Sequence, residues 1–256
     1  EPSHDFKVQS SDGAWWVGVP ENGVIREKQI GESGTGSDDT AVLQATHDAA
    51  LELGVDCLFV GPDLIASSIM HGSTSTTVRP PVIYGVGVGY NGSTSLGAST
   101  KITSNTSSLP LIATSGVRRG ELKDITLRSN ISIDTSTFDA DGIEPTTDAY
   151  WDGVYGARSV TTPYAGVAFD AYQTVNGSPP GTAYAGKTYV NNAGSGYKCS
   201  NVEFFGFPVG FVDQPSGTNN QNGDFMGFED CYWTVCRDAI SIGTSQARNL
   251  DARRCV

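Results

Sequence analysis

Residues 31–44 read Gly31-Glu32-Ser33-Gly34-Thr35-Gly36-Ser37-Asp38-Asp39-Thr40-Ala41-Val42-Leu43-Gln44. A glycine-rich turn gives way to two aspartates and then to helix-forming residues. The pattern predicts a helix over residues 38–53, with Asp38 or Asp39 as N-cap, its carboxylate accepting from first-turn N–H groups. Leu43, Ala50 and Leu51 form an apolar stripe with Val42, Ala45 and Ala49. Gly54 ends the helix as its C-terminal glycine. A short buried strand follows over 55–60, closed by Gly61-Pro62.

Around this segment the chain reads differently. Residues 1–30 hold Trp15-Trp16 and the turn signal Pro20-Glu21-Asn22-Gly23, and predict an irregular or short β stretch. The two tryptophans suit core or cap packing, or an anchor for another subunit. After about residue 54 helical periodicity is gone. Glycine is high at 31 and charged residues are low at 17%, which suits many short strands joined by turns. The net charge of −12 argues against binding nucleic acid through phosphates. No run of 18 apolar residues exists, so no spanning helix is expected. The chain starts Glu1-Pro2, with neither Met nor an apolar signal region. The five cysteines, Cys57, Cys199, Cys231, Cys236 and Cys255, are an odd set without zinc-knuckle spacing. They are expected to be mostly buried free thiols.

The 31–44 run, followed by Val55-Asp56-Cys57-Leu58-Phe59-Val60-Gly61-Pro62 and by Pro81-Val82-Ile83-Tyr84-Gly85-Val86-Gly87, resembles the N-terminal signature of the pectate-lyase-like superfamily. The resemblance covers roughly residues 24–130. Asp63-Leu64-Ile65 departs from the Gly-x-Tyr that family often carries after the proline. The resemblance implies an all-β fold, a right-handed parallel β-helix whose open first rung is covered by the helix. On this reading residues 1–30 are an N-terminal attachment or cap and 31–256 the β-helix. Asp38 and Asp39 are then structural rather than catalytic.

The last third shows a period. Val202, Met226 and Leu250 lie 24 apart, as do Phe204, Phe228 and Ala252, and Phe207, Cys231 and Cys255. Stacked coils place like residues above like, about 4.8 Å apart. A third copy that reaches Cys255-Val256 implies a longer chain or a covering partner. Residues 122–127 and 154–160 have strand patterns off this period. Inserts at 174–197 and 213–224 carry Gly, Pro and Asn. Tyrosines 150, 155, 164, 172, 184, 189 and 197, with Trp151, fall within or between inserts. They suit sugar stacking or plain β packing.

Candidate chemistry centres on carboxylates, because glycan cleavage needs an acid–base pair. Asp238, Glu229 and Asp230 are the candidate catalytic residues. Cys236-Arg237-Asp238-Ala239-Ile240-Ser241-Ile242-Gly243 resembles a polygalacturonase step whose catalytic Asp aligns with Asp238. Cys236, Arg237 and Ala239 depart from that motif, and its Asp-Asp and Gly-His-Gly partners are missing. Tyr155, Trp151, Tyr197 and Arg237 are the candidate glycan-binding residues. Asp139, Asp141, Glu144, Asp148 and Asp152 form an acidic run that suits a solvated loop or calcium; no other cofactor is expected. Arg118-Arg119 and Arg253-Arg254 could meet carboxylated sugars. His4, His47 and His71 form no cluster in sequence. Gly85-Val86-Gly87-Val88-Gly89 lacks the helix signal of a phosphate loop. Sequons begin at Asn91, Asn105, Asn130 and Asn176.

Taken with the resemblance, these features imply a phage tailspike-like or tail-fibre-like protein. It would sit in the virion tail as a homotrimer with other tail proteins, binding host surface polysaccharide or lipopolysaccharide and, in an active form, cleaving it. The alternatives are an extracellular polysaccharide lyase or glycoside hydrolase acting alone, and a non-catalytic virion protein.

Overall fold

The computed structural model describes residues 6–73, 78–89, 99–115, 117, 119–133, 147–156, 164–169, 195–213, 224–242 and 249–256. Strands β1 (Lys7–Gln9) and β2 (Trp15–Val17) pair antiparallel. Next come β3 (Val24–Arg26), α1 (Glu27–Ile30), α2 (Thr40–Leu53) and β4 (Asp56–Leu58). They are followed by β5 (Leu64–Ala66), β6 (Ile69–Gly72), β7 (Ile83–Tyr84), β8 (Lys101–Ser104), β9 (Ile112–Ser115) and β10 (Glu121–Arg128). Helix α3 (Asp148–Tyr155) precedes β11 (Ala165–Phe169), β12 (Lys198–Phe205), β13 (Val209–Asp213), β14 (Gly227–Glu229), β15 (Tyr232–Thr234), β16 (Asp238–Ile242) and β17 (Asp251–Arg253).

Except for the β1–β2 pair, the named strands pair in parallel. A ten-stranded sheet runs β17-β14-β12-β10-β7-β4-β3, with β15, β8 and β5 paired beside that path. A five-stranded sheet runs β16-β13-β11-β9-β6. Register stacks apolar residues into rows. Ile25, Cys57, Ile83, Leu122, Cys199, Phe228 and Ala252 follow one another across the first sheet. Leu64, Ile102, Leu127, Phe204 and Trp233 form a second row. Ile69, Ile112, Val167, Phe211 and Ile240 form a third, on the other sheet. All three rows feed one apolar core. Each fully buried Phe or Ile contributes about 1.5–3 kcal/mol.

Between the rows the backbone bends at stacked left-handed residues. Asp124, Asn201, Asp230 and Arg254 have φ of 56°, 50°, 54° and 52° and occupy equivalent places on successive strands. Asp and Asn tolerate this region better than most side chains. Gly85 precedes them in the column; a Cβ there would stand 2.2 Å from the Asp124 carbonyl oxygen.

The expected fold class needs correction. Three helices belong to the described chain, so the protein is not all-β. The strands divide into two separate parallel sheets and an antiparallel pair. Every return from the five-stranded to the ten-stranded sheet passes through residues outside the described ones. No closed β-helix is traced; the class is parallel sheets with helices packed on them. The stretch before residue 31 also contributes β3 to the main sheet.

The helix starts two residues later than expected, and its aspartates have other partners. Asp39 holds the N-cap position, but its side chain does not cap. Its oxygens accept from Gly34 N (3.0 Å) and Ile65 N (2.9 Å), tying the glycine-rich turn to β5. Asp38 accepts from Thr40 N at 2.9 Å. Gln44 reaches from α2 to Met70, accepting from its N–H (2.7 Å) and donating to its carbonyl (3.1 Å). Gly54 is left-handed, φ 66°, as expected.

The 24-residue period holds for one step only. Phe228 pairs with Ala252, but Cys199 pairs with Phe228, 29 positions on, and Phe204 pairs with Trp233. The segment between β13 and β14 lengthens that step, and both neighbouring rows are apolar. A count by residue type therefore joined residues from adjacent rows. Of the strand expected at 154–160, residues up to Tyr155 belong to α3, with Thr147 as N-cap accepting from Tyr150 N, and residues 157–160 lie outside the described ones.

Candidate functional site

The outward side of β10, β12 and β14 is polar because side chains alternate across a strand. Leu122, Cys199 and Phe228 point to the core, and Lys123, Ser200 and Glu229 stand beside one another on the opposite face. The left-handed bend then turns Asp124, Asn201 and Asp230 to the same side. Together with Glu121, Lys198 and Tyr232 these residues line an open cleft of about 460 Å³.

Its groups are tied together. Lys198 Nζ donates to Glu229 Oε2 at 2.9 Å. Arg254 Nη2 donates to Glu229 Oε1 (2.9 Å) and Asp230 Oδ2 (2.8 Å), and Nε to Asp230 Oδ1 (2.6 Å). Asn201 Nδ2 donates to Asp124 Oδ1 at 2.7 Å, and Ser200 Oγ to Glu121 Oε1 at 3.3 Å. The Lys198 hydrogen bond, then that of Arg254, holds the Glu229 carboxyl below its ordinary range. Arg254 does the same for Asp230. Both are therefore ionised acceptors at neutral pH.

The structure brings Glu229 and Asp230 together but places Asp238 on the other sheet, where β16 pairs with β13. Asp238 joins Arg237 (3.5 Å), which also reaches Asp152 (3.3 Å) and donates to the Gly156 carbonyl (2.8 Å). Tyr155 stacks on Trp151 (5.7 Å, 10°), lies within 6.0 Å of the Arg237 guanidinium, and donates its hydroxyl to the Val235 carbonyl. Trp151, Tyr155, Arg237 and Asp238 thus form one cluster pinning α3 to the β15–β16 corner. Trp151 is buried, so its ring is spent on packing.

Tyr197 does not face solvent, which corrects its expected glycan contact. It is 1% exposed, and its hydroxyl meets His71 Nδ1 at 2.9 Å. Tyr197 precedes β12 on the inward side, so the apolar core takes its ring. Of the acidic run, Asp139, Asp141 and Glu144 lie outside the described residues, and Asp148 and Asp152 stand on α3. Among the described residues no three His, Cys, Asp or Glu side chains are placed to hold a metal. No described helix is long and apolar enough to cross a membrane. Arg253 pairs with Asp251. Arg118, Asn91 and Asn176 are outside the described residues.

Among the buried titratable groups are Asp213, which sequence reading did not single out, and His71, which it read as unclustered but whose ring meets that of His47 edge-on at 5.5 Å. Asp213, at the end of β13, is fully buried with neither carboxylate oxygen hydrogen-bonded. Burial pushes its pKa up to about 7. His71 on β6 is also fully buried, and burial, helped by nearby His47, lowers its pKa to about 3. Its Nε2 donates to the Pro81 carbonyl at 2.9 Å, so Nδ1 is left to accept from Tyr197. An alternating apolar strand gives no warning of either group. All five cysteines are free, and Cys57, Cys199 and Cys231 are buried as expected.

No family model and no curated protein matches the chain. Among solved structures, a "putative glycosyl hydrolase" from Parabacteroides merdae aligns over 92% of this chain and 98% of its own, with TM-score 0.50 and 12% identity. At that identity the likeness concerns the fold alone. A second structure, the Agl-KA catalytic domain, aligns over 92% of this chain and 35% of its own, with TM-score 0.46 and 15% identity.

Proposed function

We propose that the protein binds polysaccharide along the polar cleft on the outer face of β10, β12 and β14. The observation that carries this reading is the in-register set of hydroxyl, amide, carboxylate and amine groups around an open cleft of about 460 Å³. A cleft open at the sides suits a polymer, and fixed polar groups on parallel strands suit its hydroxyls. The fold shared with a protein described as a glycosyl hydrolase supports looking among carbohydrates.

Binding fits the cleft better than cleavage. A glycosidase needs one protonated carboxyl near neutral pH. Glu229 and Asp230 are held ionised by Lys198 and Arg254. Asp213, whose pKa burial pushes up to about 7, is partly protonated at neutral pH but is enclosed in the core. Affinity electrophoresis of the intact protein through gels containing polysaccharides tests the reading, with reducing ends measured in parallel. Retardation by at least one polymer without release of ends is expected. Retardation that survives Lys198→Ala with Tyr232→Ala would place binding elsewhere.

The acidity of the chain and its free cysteines support a trimeric virion-tail setting as a second part of the proposal. Sedimentation of the intact protein tests it: three copies are expected, and a monomer would favour the extracellular alternative.

A further inference from the structure

We infer that the cleft selects polysaccharides free of carboxylate groups and rejects polyuronates; this rests on the glycan-binding reading above. Recognition of a uronate needs a cation that is available to it. Of the three cations in and beside the cleft, two are already bound to carboxylates. Lys198 is bound to Glu229, and Arg254 spans Glu229 and Asp230. Lys123, 5.8 Å from the centroid of the Tyr84 ring, stands between Glu121 and Asp124 on β10 and keeps its charge.

The acids are not matched in the same way. Among the described residues, Glu121 and Asp124 have no cation within ion-pair distance. They accept only from Ser200 and Asn201, which are neutral. The cleft therefore carries four carboxylates (Glu121, Asp124, Glu229, Asp230) against three cations (Lys123, Lys198, Arg254), a negative surplus on a chain whose net charge is already −12. A sugar hydroxyl can donate to them. A uronate adds a like charge to that surplus, and two of the three cations it would seek are already held by Glu229 and Asp230. Specificity here comes from repulsion of the wrong ligand as much as from attraction of the right one.

The test uses the intact protein with a neutral panel (dextran, β-glucan, galactomannan) and with polygalacturonate, at low salt and in 0.5 M NaCl. A variant combining Glu121→Gln and Asp124→Asn removes both charges. It keeps an acceptor for Ser200 and Asn201, and Asn suits the left-handed backbone at position 124. Wild type is expected to bind a neutral polymer and to bind polygalacturonate at least about tenfold more weakly. The double variant is expected to gain about tenfold in polygalacturonate affinity at low salt, with the gain shrinking at high salt. Wild-type binding of polygalacturonate as tight as neutral binding, or no gain in the variant, overturns the inference and leaves the glycan-binding reading standing. Failure to bind any polymer overturns both.

Discussion

The outer face of β12 and the inner row of the five-stranded sheet both carry polar groups, under opposite rules. On the outer face Lys198, Glu229, Asp230 and Arg254 are exposed enough to stay charged, and they pair with one another. On the inner row His71 and Asp213 are sealed in the core, so each takes its neutral form. Burial decides which groups can meet a charged or hydroxylated ligand and which instead bind a proton when the chain folds. The same alternation of side chains that gives a dry core on one side of a strand gives a hydrophilic cleft on the other.

The comparison can be broken most severely from the inside. Phe211 belongs to the third apolar row and packs edge-on against Phe228 at 5.0 Å. Phe211→Ala should cost about 3–5 kcal/mol in denaturant unfolding. Next in size is Asp213. Its folded pKa of about 7 lies above the unfolded value near 3.8, so the native state holds the extra proton. Its contribution is complete below the unfolded value and is lost as pH rises through about 7. Asp213→Asn should therefore be more stable than wild type at pH 8, by about 2–4 kcal/mol, and close to it at pH 4. Equal stabilities at both pH values would count against a buried, protonated Asp213.

His71 acts in the other direction. Its folded pKa of about 3 lies below the unfolded 6.5, so the unfolded chain binds the extra proton. Stability from this group is present above pH 6.5 and is lost as pH falls toward 3. Between about pH 4 and 6.5 the two groups oppose each other, at up to about 1.4 kcal/mol per pH unit each. Asp213→Asn should therefore steepen the acid loss of stability across that window. An unchanged slope would show that Asp213 titrates normally. The smallest effect is expected outside. Glu229→Gln should leave the unfolding temperature unchanged, because an exposed ion pair in water contributes little, while still weakening retardation in a polysaccharide gel.

Much of the framework was legible from local chemistry. The turn at Gly34 and Gly36, the helix to Leu53 and its glycine stop all follow from residue type. So does the buried strand around Cys57. The all-β class was not legible in the right form, because α3 at Asp148–Tyr155 has a weak apolar stripe among tyrosines that also suit strands. The stacking partner of Phe204 was missed because register depends on the length of each crossing, which residue types do not encode. For the site, the acid pair Glu229 and Asp230 was readable as carboxylates. Of their neighbours, Lys198 comes from β12, 29 positions away in register, and Glu121 and Asp124 from β10, 106 positions away, and proximity of that kind exists only in the fold.

Hydrogen–deuterium exchange of the intact protein with and without a polysaccharide that retards it tests the central claim most directly. The account predicts slower exchange confined to residues 121–124, 198–201 and 227–232. Protection centred instead on 148–156 and 237–238, or no protection at all in the presence of bound polymer, would contradict it.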